Sequence, residues 1–180
     1  MEDISLHILD IAENSIAAGA TVINIKIVED IGKDLVSIEI EDNGRGIPEE
    51  LISKALDPFY TTRTTRKVGF GLSLLAQSAK EAGGDISIKS KERVGTLVSA
   101  QFKYSHIDRK PFGNIADTLI VLIAGNPDID FVFTHSKNSS NYVLDTRQIK
   151  AEIGDIPINS APVISFIRKD LEEYPRRINK

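Results

Sequence analysis

Two carboxylates, one side-chain amide and two short glycine loops are the parts of this sequence whose types and spacing can do chemistry. Asp42 closes an alternating run, "DLVSIEIED", and is followed at once by Asn43-Gly44-Arg45-Gly46. Asn-Gly is a strong turn dipeptide, and Gly46-Ile47-Pro48 leads towards a helix, so a tight turn is one reading. The other is that Asp42 presents a carboxylate at a strand end while Gly44 and Gly46 let the backbone come close to a flat ligand. Asp10 and Asn14 stand four apart, with Glu13 at the edge of the same face and His7 one turn earlier. That face is either solvated, or it lends the Asn14 amide oxygen to a hard cation such as Mg²⁺, which prefers oxygen and keeps its other positions for water and phosphate.

A second Gly-x-Gly, Gly69 and Gly71, opens a helix just after Arg63, Arg66 and Lys67. Free N–H groups and the helix dipole make such a start an anion site, unless the cations are merely a solvated run. Neither glycine pair extends to Gly-x-Gly-x-x-Gly, because Glu49 and Leu74 occupy the third positions, and there is no Gly-x-x-x-x-Gly-Lys-Ser/Thr. Both absences argue against Rossmann and P-loop phosphate sites. Gly95-Thr96 begins the last strand of this part of the chain.

The elements that must hold these residues follow from periodicity. Ile4, Ile8, Leu9, Ile11, Ala12, Ser15 and Ile16 fall on one side of a helix over 3–18, with Asp3 as N-cap and Gly19 as stop. "TVINIKIVED" and "DLVSIEIED" alternate with period two and form a hairpin. A short helix follows from Pro48, then an irregular basic stretch, then a helix "GLSLLAQSAKEAGG", then a hairpin of "DISIKSKE" and "GTLVSAQFKY". The order predicts an α+β fold with helices over one face of a mixed sheet. "SHIDRKPFG" (105–113) breaks the pattern, so the expected organisation is one domain over 1–105 and a small α+β appendage over 112–180. In the appendage "NIADTLIVLIAG" reads as a helix, "DFVFTHS" and "NYVLDT" as a hairpin, and "APVISFIRKDLEEY" as a final helix.

Composition narrows the class. The chain has 180 residues, 41% of them hydrophobic, which is enough for a core. A net charge of -4 lacks the footprint of a nucleic-acid binder. There is no cysteine, hence no disulfide, thiolate metal site or cysteine nucleophile. The acidic, amphipathic start is not a secretory signal, and no apolar run reaches the ~18 residues of a membrane span. The expectation is a cytoplasmic protein that engages neither nucleic acid nor membrane, with Asn138-Ser139-Ser140 serving as a polar turn.

Taken together, Asn14, Asp-x-Gly-x-Gly beginning 28 residues later, Gly-x-Gly opening a helix after a Phe-containing basic loop, and Gly-Thr on a closing strand resemble the motifs of the GHKL superfamily. That group includes histidine-kinase ATP-binding domains, gyrase-type topoisomerases, MutL-type repair ATPases, heat-shock-type chaperones and anti-sigma serine kinases. "AENSIAAGAT" looks like the MutL-type motif, "DPFYTTR" and "GFGLSLL" like sensor kinases, and the resemblance spans roughly 4–104. It implies the Bergerat α/β sandwich and Mg-ATP as ligand. It further implies that Asp42 accepts from the adenine amine with Thr96 in support, that Asn14 binds Mg²⁺, and that Gly69 and Gly71 offer N–H groups to phosphate. The same resemblance makes Phe59 to Lys67, including Thr61, Thr62 and Arg63, a nucleotide lid, and adds Ile47, Phe70 and Leu72 to the site.

Hydrolysing relatives carry a Glu four residues before the Asn, where this chain has the shorter Asp10. The resemblance therefore implies a kinase-like or regulatory subunit acting in trans on a protein partner. The alternative it leaves is an anti-sigma-type serine kinase or a slow MutL-like ATPase. His7, His106 and His135 lie in no His-Glu/Asp-x-x-x-Pro context, so phosphoryl transfer of the sensor-kinase kind is expected to need a partner chain. "IADTLIVLIAGNPDIDFVFTH" looks like stand-alone ATP-binding proteins encoded beside bacterial iron hydrogenases and related redox enzymes, so the partner this resemblance implies is a phospho-acceptor or a redox-enzyme complex.

Overall fold

A computed structural model describes residues 3–52, 54 and 71–179. Helix α1 (Ile4–Ala17) begins where Asp3 accepts a hydrogen bond from the Leu6 N–H at 3.1 Å. It ends at Gly19, whose φ of +77° suits a residue without a Cβ. Ile4, Ile8, Ile11, Ala12 and Ser15 recur at helical spacing and are buried, so this stripe is what α1 lays on the sheet.

The strands are β1 (Val22–Asp30), β2 (Leu35–Asp42), β3 (Asp85–Lys91), β4 (Gly95–Lys103), β5 (Asp130–Lys137) and β6 (Ser140–Asp145). They form one sheet in the order β3-β4-β2-β1-β5-β6, with β1 and β5 parallel and every other pair antiparallel. Alternate residues Ile23, Ile25 and Ile27, Val36, Ile38 and Ile40, Val98, Ala100 and Phe102, and Phe131 and Phe133 are buried on the helix side. The other side carries polar residues such as Lys26 and Glu39, paired at 3.4 Å. Helices cover one face, as the pattern predicts.

The remaining helices are α2 (Glu49–Ile52), α3 (Gly71–Glu81), α4 (Ile115–Gly125), α5 (Thr146–Ile153) and α6 (Ala161–Ile178). Helix α5 does not emerge from periodicity. Its start is nevertheless written in Asp145, which accepts from the Arg147 N–H at 2.9 Å as an N-cap. The segment after 105–113 places β5 against β1 and so continues the same sheet, and its side chains Phe131, Phe133, Leu119 and Leu171 share one buried cluster with Ile23 and Ile25. The backbone N–H groups of Ile4 and Ser5 donate to the carbonyls of Pro111 and Phe112, each at 2.9 Å, which ties the connecting stretch to the start of α1.

Candidate functional site

Register is what builds the site. Asp42 has the same parity as the buried Val36, Ile38 and Ile40, so its carboxylate points to the helix side of the sheet at the strand end. Thr96 is its cross-strand partner on β4, and Ser90 on β3 is in turn the partner of Thr96. Three polar side chains therefore stand in one row where the neighbouring rows are Ile and Val.

The Asp42 carboxylate is oriented from two sides. The Ser15 hydroxyl of α1 donates to Oδ2 at 2.7 Å, and the Gly44 N–H donates to Oδ1 at 2.9 Å. A carboxylate has about four lone-pair positions, so two of them have no donor among the described residues. Asn43 turns away from the row: its side chain accepts from the Thr21 and Val22 N–H groups at 2.9 and 3.0 Å and fixes the loop to the start of β1.

The loop glycines are held by close packing. A Cβ on Gly44 would lie 3.0 Å from both the Ala18 Cβ and Asp42 Oδ1. One on Gly46, at φ +71°, would lie 2.1 Å from the Lys91 carbonyl oxygen, and one on Gly95, at φ +141°, 1.9 Å from that of Asp42. Gly46 and Gly95 are thus required by backbone meeting backbone at the β2–β4–β3 corner. Ser90 completes the corner, with its hydroxyl 2.8 Å from the Ile47 N–H, 2.9 Å from the Gly95 carbonyl and 2.8 Å from the Thr96 hydroxyl.

On the helix side, Asp10 and Asn14 are half-buried one turn apart on α1. The first residue of α3, Gly71, meets Asp10: a Cβ there would lie 3.2 Å from Asp10 Oδ2. A carboxylate at the positive end of an eleven-residue helix is a favourable arrangement. Leu72 is half-buried and packs against the core. At the end of the sheet a cavity of about 260 Å³ is lined by Asp42, Ser90 and Thr96 together with Glu41, Lys89 and Lys91 of the opposite strand parity, and a neighbouring one of about 650 Å³ by Ile47, Glu49, Ile52 and Ser90 together with Lys89 and Lys91. Phe59, Thr61, Thr62, Arg63, Lys67, Gly69 and Phe70 lie outside the described residues.

Two contributors escape a reading of motifs, Ser15 and Ser90. Ser15 sits in the apolar stripe of α1, and Ser90 takes the third inward position after Ile86 and Ile88 on β3. A lone hydroxyl on an otherwise apolar face is the signal each leaves in the sequence. Among the described residues no three His, Cys, Asp or Glu side chains gather as a metal cage. One amide oxygen from Asn14, with Asp10 a turn away, nonetheless fits a hard ion that takes most of its ligands from phosphate and water.

The chain belongs to the family of histidine kinase-, DNA gyrase B- and HSP90-like ATPases, whose model matches residues 2–106. An NtrY-like sensor histidine kinase of Rickettsia conorii is 30% identical over 110 residues, 61% of this chain and 18% of that protein. The sensor kinase CckA of Brucella abortus is 41% identical over 64 residues, 35% of this chain and 7% of that protein. The chain thus spans under a fifth of the length of these curated relatives. Among solved structures, the Aquifex aeolicus MutL ATPase domain complexed with ADP superposes with a TM-score of 0.55 at 16% identity, covering 100% of this chain and 98% of that one. At that identity the likeness is one of fold.

Proposed function

We propose that this chain binds Mg-ATP or Mg-ADP between the Asp42–Thr96 row and the α1–α3 side, and acts as a kinase-like or regulatory subunit in trans with a protein partner. The observation that carries the reading is the Asp42 carboxylate, fixed from two sides, with two acceptor positions that have no donor among the described residues. An adenine amine offers two N–H donors to such an end, whereas a guanine carbonyl would face it with lone pairs. Asn14 would hold the Mg²⁺, whose chemistry is to neutralise phosphate charge. The N–H groups opening α3 would face the phosphates.

Two observations support transfer to a partner. His7 and His135 are buried, at 2% and 3% exposure, and cannot receive a phosphoryl group as they stand. Asp10 lacks one methylene relative to Glu, and misplacement of a general base by about 1 Å can cost about a hundredfold in rate. The partner, a phospho-acceptor or redox-enzyme complex, would contact the C-terminal elements that extend the sheet through β5. Slow intrinsic hydrolysis is the second reading, favoured by Asp10 standing directly against Gly71. None of the described helices is long and apolar enough to cross a membrane, and a cytoplasmic location is part of the proposal.

Thermal unfolding with nucleotides tests the core of this reading. At about 100 times its dissociation constant a ligand stabilises the fold by roughly 2.7 kcal/mol, a melting shift of about 5–11 °C at this size. GTP should shift much less, and an absence of any shift with ATP or ADP would refute nucleotide binding. Affinity capture with and without ATP, read by mass spectrometry, tests the partner.

A further inference from the structure

Ser90 has one proton and three close polar neighbours. The Ile47 N–H can only donate, so it takes one lone pair of the Ser90 oxygen at 2.8 Å. The Gly95 carbonyl can only accept, and two oxygens 2.9 Å apart need a hydrogen between them, so the Ser90 proton goes there. The remaining contact, 2.8 Å to the Thr96 hydroxyl, then has a hydrogen only if Thr96 donates. Giving the Ser90 proton to Thr96 instead would set the Gly95 and Ser90 oxygens against each other with nothing between.

Thr96 has therefore spent its only proton on Ser90 and shows lone pairs alone beside Asp42. Asp42, a carboxylate, is an acceptor as well. We infer that Ser90 sets the hydrogen-bond polarity of this end of the site, so that it takes a 6-amino-purine and rejects a 6-oxo-purine. Ser90 is thereby a positioning residue for nucleotide choice, acting through Thr96. This rests on the nucleotide-binding reading above and deepens it. Without the Ser90 acceptor the Thr96 hydroxyl is free to rotate and donate, and a carbonyl at the purine 6-position gains a partner.

The dissociation constants of ADP and GDP, measured by isothermal titration, test this in wild type, Ser90→Ala, Ser90→Thr and the pair Thr96→Val and Thr96→Val/Ser90→Ala. Ser90→Ala should lower the preference for ADP over GDP about fivefold, the worth of roughly one hydrogen bond. Ser90→Thr restores the acceptor and should keep the wild-type preference. In the Thr96→Val background, Ser90→Ala should leave the preference unchanged, because no hydroxyl is left to release. If Ser90→Ala does not fold, Ser90→Cys takes its place, since its sulfur is too weak an acceptor to hold the Thr96 proton. A purely structural role would weaken both nucleotides in parallel, and an unchanged preference in Ser90→Ala or Ser90→Cys overturns the inference. Wild type that binds neither nucleotide removes the nucleotide reading itself, and this inference with it.

Discussion

Replacing Asp42 by Asn asks whether its carboxylate reads a ligand or only shapes a turn. In the folded protein the side chain accepts from Ser15 at 2.7 Å and from the Gly44 N–H at 2.9 Å. An Asn can keep the second by turning its oxygen to Gly44, and its NH₂ then faces the Ser15 oxygen. Ser15 can accommodate that donor, because its own proton has another acceptor in the Ile11 carbonyl at 3.3 Å. The internal cost is then about one neutral hydrogen bond, roughly 1 kcal/mol, or about 2–4 °C in melting temperature. Towards the ligand the change is larger, because an NH₂ donor replaces a charged acceptor opposite the adenine amine. Hydrogen bonds to charged groups contribute about 1.5–3 kcal/mol, so ADP affinity should fall about 10- to 150-fold. Titration calorimetry of ADP, paired with thermal unfolding of the unliganded variant, separates the two costs. A variant that folds and binds ADP within twofold of wild type would refute the role assigned to Asp42 and leave it a turn residue.

Three further outcomes are expected. Gly95→Ala would set a Cβ 1.9 Å from the Asp42 carbonyl at φ +141°, so β2 and β4 must part, costing about 1–3 kcal/mol in thermal or denaturant unfolding. A variant as stable as wild type would contradict that packing. His7 is buried with neither ring nitrogen hydrogen-bonded among the described residues, and burial, only partly opposed by the charge of Asp3, pushes its pKa down to about 4 from 6.5. The unfolded chain then binds the proton that the folded one refuses. Stability should be full above pH 6.5 and fall by about 1.4 kcal/mol per unit as pH drops towards 4. Denaturant titrations of wild type should show that slope, and His7→Leu should flatten it. Finally, Asp10→Glu should raise ATP hydrolysis and Asp10→Asn abolish it with ADP affinity nearly unchanged, as a coupled phosphate-release assay would show. Wild-type turnover at or above about 1 s⁻¹ would instead make the chain an ATPase in its own right.

Much of the molecule was legible before any coordinate. The stripe Ile4, Ile8, Ile11, Ala12 needs only the helical period, and Ile23, Ile25 and Ile27 or Val36, Ile38 and Ile40 only the period of two, because burial on one face is a local property of the chain. Asp42 could be placed at a strand end for the same reason. Other features depend on which strand lies beside which, and no local pattern carries that. That Asp42 faces Thr96, and Thr96 faces Ser90, follows from the β2–β4–β3 register. That Ser15 belongs to the site, and not merely to the apolar stripe, follows from α1 crossing the end of β2. The glycines show the difference most sharply. Sequence marks Gly46 and Gly95 as special, but only the folded corner shows that each is required by a carbonyl about 2 Å from where its Cβ would stand. The parallel pairing of β5 with β1 is likewise a tertiary decision, since it joins residues more than a hundred positions apart whose alternating patterns would suit any neighbouring strand.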